Sequence, residues 1–223
     1  MKKIASILLL LLLVTSTSIA QEAYDQKFRN YFYDQRRSFF EAMPDTPNEV
    51  IMLGNSITNG ASWDELFPDL NIKNRGISAD ITLGVLDRMD EVVSSFPTKV
   101  FILIGVNDIA RNIPIDTIVY NYTRIVETIK TRSPHTHVYI QSVMPTNDTF
   151  DNFKNHQGKT DRILALNQQL EQLAVRTQTH FVDLYTPLLG ADGKLDTVYT
   201  NDGLHLLGKG YVQWASILKK YIY

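Results

Sequence analysis

The chain has 223 residues, with 22 lysines and arginines against 24 aspartates and glutamates, a formal net charge of −2, and no cysteine. This mildly acidic balance, without a basic block, argues against a nucleic-acid partner. The missing cysteines exclude disulfides, thiol nucleophiles and cysteine-ligated metals, so the core alone holds the fold together.

Lys2 and Lys3 precede an apolar run over residues 7–14, and Ser18-Ile19-Ala20 then offers small residues at the two positions a signal peptidase reads. Residues 1–20 are expected to be a signal peptide cleaved after Ala20, sending the protein to a secreted or periplasmic location. The apolar run is shorter than the roughly 20 residues of a membrane span, and no cysteine can carry a lipid. No stable membrane insertion is expected. About 203 residues then remain, enough for one well-filled domain.

Residues 21–47 form an N-terminal segment whose aromatic stretch, with Phe28, Phe32, Phe39 and Phe40, predicts a helix over 24–43 packed on the domain. Residues 44–48 read as the loop into the first strand. From residue 50 onward, apolar β-branched runs at 50–53, 72–74, 100–104, 138–143 and 181–184 predict strands. Between and after them, helical periodicity appears at 82–95, 115–132, 160–177 and 208–221. In the second of these, Ile118, Tyr122, Ile125, Val126 and Ile129 recur at spacings of three and four and share one face.

Alternating strand and helix predicts a parallel sheet, because parallel strands need long crossover connections. The expected fold over 48–223 is therefore a three-layer α/β/α sandwich around a parallel sheet of about five strands. Ligands of such sheets bind beyond the carboxyl ends of the strands, at the topological switch point. Asn55-Ser56 follows the first strand, Gly76 the second and Asn107 the third. Asp202 and His205 precede the last helix, within reach of the same edge.

Each of these residues has a functional and an ordinary reading. Ser56, where a strand turns into a helix, can expose a nucleophilic hydroxyl or simply cap the helix. Asp202 lies three residues before His205, a spacing that lets a carboxylate orient an imidazole as a base, yet it also suits a helix N-cap. Gly76 can turn its backbone N–H toward a bound carbonyl oxygen or serve an ordinary turn. The Asn107 amide can donate to the same oxygen or close an Asx-turn with Asp108. The long polar loop 145–159 follows a strand at the active edge.

Taken jointly, the blocks around Ser56, Gly76, Asn107 and His205 resemble the SGNH hydrolase superfamily, the GDSL-type esterases, in order and approximate spacing across nearly the whole chain after residue 50. The resemblance implies a flavodoxin-like α/β fold and a serine esterase acting through an acyl-enzyme without metal or cofactor. It makes Ser56 the nucleophile, His205 the base, Asp202 its orienting carboxylate, and Ser56 N–H, Gly76 N–H and the Asn107 side chain the oxyanion donors. The family's Gly-Asp-Ser-Leu reads Gly54-Asn55-Ser56-Ile57 here, and Asn55 keeps a hydrogen-bonding side chain in a supporting position. The substrate expected from the resemblance is a small-molecule or glycan ester, foremost an O-acetylated carbohydrate such as a sialic acid. Lysophospholipase or thioesterase activity, acyl transfer and a non-catalytic glycan-binding role are the alternatives.

No zinc-protease helix, phosphate loop or dinucleotide fingerprint is present. His135, His137, His156 and His180 have no partner in sequence and are expected to be structural or solvated.

Overall fold

The computed structural model describes residues 28–223, and the expected signal peptide over residues 1–20 lies outside them. In chain order the elements are α1 (Tyr31–Ala42), β1 (Val50–Gly54), α2 (Ser56–Asn59), α3 (Trp63–Leu66), β2 (Ile72–Gly76), α4 (Thr82–Asp87), α5 (Met89–Val93) and β3 (Lys99–Leu103). There follow α6 (Val106–Ala110), α7 (Ile115–Arg132), β4 (His137–Gln141), α8 (Thr160–Thr177), β5 (His180–Val182) and α9 (Gly208–Ile222). The strands form one sheet in the order β2-β1-β3-β4-β5, with every pairing parallel.

β1 is buried along its whole length, as expected of a central strand covered on both faces. Its neighbours β2 and β3 diverge from it on opposite sides, so the switch point falls at its carboxyl end. The register sets Gly54 beside both Gly76 and Leu103, which brings the ends of three strands to one edge. Helices α4, α5 and α7 pack together, and α7 continues onto α8. Elsewhere Trp63 of α3 meets Trp214 of α9 edge-on at 4.8 Å, and Trp214 Nε1 donates to Gln141 Oε1 at 2.8 Å.

Among the described residues the N-terminal helix starts only at Tyr31, where Asn30 caps it by accepting from Tyr33 N; the first part of the helix expected over 24–43 lies outside them. Tyr33 and Phe40 point inward, and the Tyr33 hydroxyl donates to Gly84 O at 2.7 Å. Phe39 stays 48% exposed. Strand β4 also stops early. Asn167 of α8 takes over the pairing of Val143, accepting from its N–H at 2.7 Å and donating to its carbonyl at 2.8 Å.

The helix expected over 82–95 is broken into α4 and α5 at Arg88, whose backbone leaves helical geometry at φ −120° and ψ 22°. The break turns a guanidinium into the protein interior. Arg88 Nε and Nη2 donate to Asp80 Oδ2 at 3.2 and 3.1 Å, Nη1 donates to Glu91 Oε1 at 3.3 Å, and Nη2 also donates to the Gly54 and Arg75 carbonyls at 3.2 and 2.9 Å. Arg75 shares Glu91 at 2.8 Å. Full burial raises the Asp80 carboxyl, and Arg88 opposes that rise. Removing one partner of such a buried pair leaves an uncompensated charge and costs about 3–5 kcal/mol. Arg88→Met is accordingly expected to lower the unfolding free energy measured in urea by that amount, and a loss below about 1 kcal/mol would show that the carboxylates need no cation.

Candidate active site

The first strand delivers its serine through a cap. Asn55 is buried, and its Oδ1 accepts from Ile57 N at 3.0 Å, which starts α2 at Ser56. An asparagine oxygen fills this role as an aspartate would, without adding a negative charge. Tyr211 of α9 donates from its hydroxyl to Ile57 O at 3.0 Å and holds the same turn from outside.

Asp202 and His205 are built by one loop. Asp202 Oδ1 accepts from Leu204 N and His205 N at 2.9 and 2.8 Å, while His205 Nδ1–H donates to Asp202 Oδ2 at 2.7 Å. With Nδ1 carrying the proton, Nε2 is bare and accepts from Ser56 Oγ at 2.9 Å. Burial by itself would push the Asp202 carboxyl upward, but the hydrogen bonds from the His205 ring and from the His205 and Leu204 amides outweigh it. The carboxyl stays below its ordinary value, so Asp202 is an anion when it orients His205.

Gly76 does not take the position expected of it. Its N–H donates to Asn74 Oδ1 at 2.9 Å, which occupies the only donor the residue has. Gly76 is small for a packing reason: a Cβ there would lie 2.2 Å from Asn59 N and 2.8 Å from Asn55 O. β2 can lie against the nucleophile's helix only with a glycine at this point. The residue that presents a backbone donor at the edge is Ala79, three positions later. It is exposed and left-handed at φ 65°, a conformation seldom adopted outside glycine. Arg111 Nη2 donates to its carbonyl at 2.9 Å, and its N–H has no partner among the described residues.

Asn107 forms no Asx-turn. Gly105 takes φ 117°, a value open to glycine, and so swings the chain from β3 into α6 with Asn107 in its first turn. Asn107 Nδ2 donates to Asp80 O at 2.8 Å. Its neighbour Asp108 points the other way and accepts from Thr82 N and from Thr82 Oγ1 at 2.6 Å, which fixes the start of α4. Burial raises the Asp108 carboxyl to about 6, with the Thr82 bonds opposing.

Loop 145–159 closes over this edge. Asn147 N donates to Gly203 O and Asn147 Nδ2 to Leu195 O, both at 2.8 Å, tying the loop to the segment that carries Asp202 and His205. Phe153, left-handed at φ 52°, sets its ring edge-on to His205 at 4.9 Å. His156 follows on a 3₁₀ turn, and its Nε2 lies 3.0 Å from Asn107 Oδ1. The sequence reading missed Phe153 and left His156 unpartnered, since nothing local to a polar loop shows which strand ends it will cover. His135, His137 and His180 are exposed; the rings of the latter two lie 6.5 Å apart, where β4 and β5 begin.

A half-buried serine hydroxyl hydrogen-bonded to an imidazole nitrogen, at the carboxyl edge of a parallel sheet, is an arrangement that suits a serine hydrolase of α/β fold. The profile of the GDSL-like Lipase/Acylhydrolase family matches residues 52–213, so the chain belongs to that family and is a carboxylic ester hydrolase. Platelet-activating factor acetylhydrolase IB subunit alpha2 of Homo sapiens is 24% identical over 211 residues, which cover 92% of this chain and 89% of that protein. A GDSL-like lipase from Bacteroides thetaiotaomicron is similar in structure, with a TM-score of 0.75 and 28% identity over 85% of this chain and 96% of its own. An acetylxylan esterase from Geobacillus stearothermophilus shares the fold, with a TM-score of 0.65 and 18% identity over 80% of this chain and 95% of its own. Among the described residues no helix is long and apolar enough to cross a membrane.

Burial, followed by the neighbouring His205 and Arg111, holds the His156 ring below its ordinary value of 6.5. The folded ring then refuses a proton that the unfolded chain accepts near that pH, so its contribution to stability is complete above pH 6.5 and is lost as pH falls through the depressed value. His156→Phe is expected to flatten this acid slope in urea unfolding measured from pH 7.5 downward. An unchanged slope would mean that other groups produce it.

Proposed function

We propose that this protein removes short acyl groups, acetyl foremost, from O-acylated carbohydrates through a Ser56 acyl-enzyme. The observation that carries the reading is the continuous line from Asp202 through His205 to Ser56 Oγ, with bond lengths of 2.7 and 2.9 Å. His205 Nε2 takes the hydroxyl proton as Oγ attacks the ester carbonyl, and Asp202 stabilises the imidazolium that forms. The developing oxyanion is met by Ser56 N–H, Ala79 N–H and the second hydrogen of Asn107 Nδ2, the first being committed to Asp80. His205 then gives its proton to the departing alcohol. Water enters by the reverse sequence and releases the acid.

Three observations support a short acyl group on a polar alcohol. The apolar cavity behind Asn55, lined by Ile57, Val106, Met144, Pro145 and Leu204 with their neighbours, has a volume of only about 10 Å³, room for about one water and not for a long chain. The Homo sapiens relative is named for deacetylation. The loop over the site exposes Asp148, Thr149, Asn152 and Asn155, donors and acceptors suited to sugar hydroxyls. A secreted or periplasmic location belongs to the same proposal, and the basic and apolar leader together with the absence of cysteine supports it.

The test is turnover of p-nitrophenyl acetate and octanoate followed by acetylated sugars. Acetate-ester cleavage is expected to exceed octanoate cleavage and to vanish in Ser56→Ala. Asn107→Ala is expected to lose about 10²- to 10³-fold in kcat, the usual cost of one oxyanion donor. Hydrolysis confined to long-chain esters would overturn the carbohydrate reading, and undiminished activity in Ser56→Ala would overturn the nucleophile.

A further inference from the structure

Asn107 has four hydrogen-bonding valences on its amide, and the fold uses two of them to determine which way the amide faces. Nδ2 donates to the Asp80 carbonyl at 2.8 Å, so the atom beside His156 is the oxygen, an acceptor only. The His156 nitrogen 3.0 Å from it therefore carries the proton. In the neutral ring this leaves Nδ1 bare; Nδ1 is buried and meets no partner in hydrogen-bond geometry, the Phe153 carbonyl beside the ring being taken by His156 N at 2.8 Å. An unpaired buried acceptor costs free energy, so this tautomer is retained for what Nε2–H does. A flipped amide would set Oδ1 against the Asp80 carbonyl and NH₂ against Nε2–H, two repulsive contacts in place of two bonds.

We propose that His156 is a positioning residue for the oxyanion donor: its Nε2–H clamps Asn107 Oδ1, and the clamp aims the free Nδ2 hydrogen at the substrate carbonyl oxygen. The proposal rests on the Ser56 reading above. His156 acts through Asn107, not on the substrate, and it also polarises the amide, since a hydrogen bond accepted at Oδ1 makes Nδ2–H a stronger donor. It comes from a loop that β4 sends over the edge, so the donor is completed only when that loop is docked. The same 3₁₀ turn carries Phe153 onto His205, so one short segment braces both the base and the oxyanion donor.

A double-mutant cycle tests the assignment with p-nitrophenyl acetate as substrate. His156→Phe keeps the ring shape and removes the donor; kcat is expected to fall about 10- to 100-fold, less than or comparable to loss of the Asn107 donor itself, with KM within about twofold. His156→Gln places an amide N–H where Nε2–H was and is expected to restore most of the rate. In an Asn107→Ala background His156→Phe is expected to cost nothing further, because the group it positions is gone. Independently of turnover, the ¹⁵N spectrum of the folded Ser56→Ala protein is expected to show a protonated Nε2 and a bare Nδ1 at His156. Full additivity in the cycle, a wild-type kcat in His156→Phe, or the opposite tautomer would overturn the proposal. Retained turnover in Ser56→Ala would instead remove the nucleophile assignment, and the ring spectrum would still report on the clamp.

Discussion

Arg88 is fully buried at the point where two strand ends and a turn have to be held together, and the site hangs from that contact. Its guanidinium joins the carbonyl of Gly54, the residue before the capping Asn55, to the carbonyl of Arg75 at the end of β2 and to the carboxylate of Asp80. Asp80 in turn accepts Asn107 Nδ2 on its own carbonyl. A single cation therefore links the strand that delivers Ser56 to the turn that holds Asn107. Five donors in a rigid plane make arginine suited to such a junction, where a lysine would be a point charge. The cost of burying it is met by satisfying each group around it, with Glu91 shared between Arg88 and Arg75.

Around this junction the chain divides its charged groups by purpose. Asp80 and Asp108 are fully buried and hold loops in place, one through its carbonyl and the other through Thr82. Asp202 is only partly buried, and several N–H groups keep it ionised. The hydrogen-bonded line from Asp202 to Ser56 thus receives a carboxylate that stays an anion, while the framework tolerates carboxyls whose burial raises them. Asn55 fits the same division. Beside Ser56 it supplies the cap without a further negative charge near a reaction that itself develops an oxyanion.

The loop after β4 draws a serine, a histidine and an asparagine on separate elements into one partly covered site. Asn147 fastens its root to the segment of the base, and its tip brings an aromatic edge to His205 and a donor to Asn107. Partial cover of the edge lowers the exposure of these groups to water and so strengthens the electrostatic contacts beneath. The left-handed backbone at Phe153 and Ala79 is a local strain of the kind folds retain where placement matters.

The order of strands and helices, the parallel sheet and its active edge are written in runs of β-branched residues and in 3.6-residue periodicity, because both record local burial. Ser56, Asp202 and His205 were legible together through the family resemblance of their blocks, whereas each taken singly also fitted an ordinary helix cap or turn. What sequence could not reveal were contacts between segments far apart in the chain. Gly76 was assigned as a donor through the family resemblance, an ordinary turn suiting it equally well by position; only the close approach of Asn59 and the bond of its N–H to Asn74 show that it is there to make room. His156 read as structural or solvated, without a partner, because that partner lies 49 residues away, and the break at Arg88 overrode helical periodicity because its carbonyl partners belong to β1 and β2. The amino-acid pattern determined which elements form and where the reactive groups emerge; the tertiary structure decided which donor meets which acceptor, because a hydrogen bond depends on distance in space and carries no signature in local spacing.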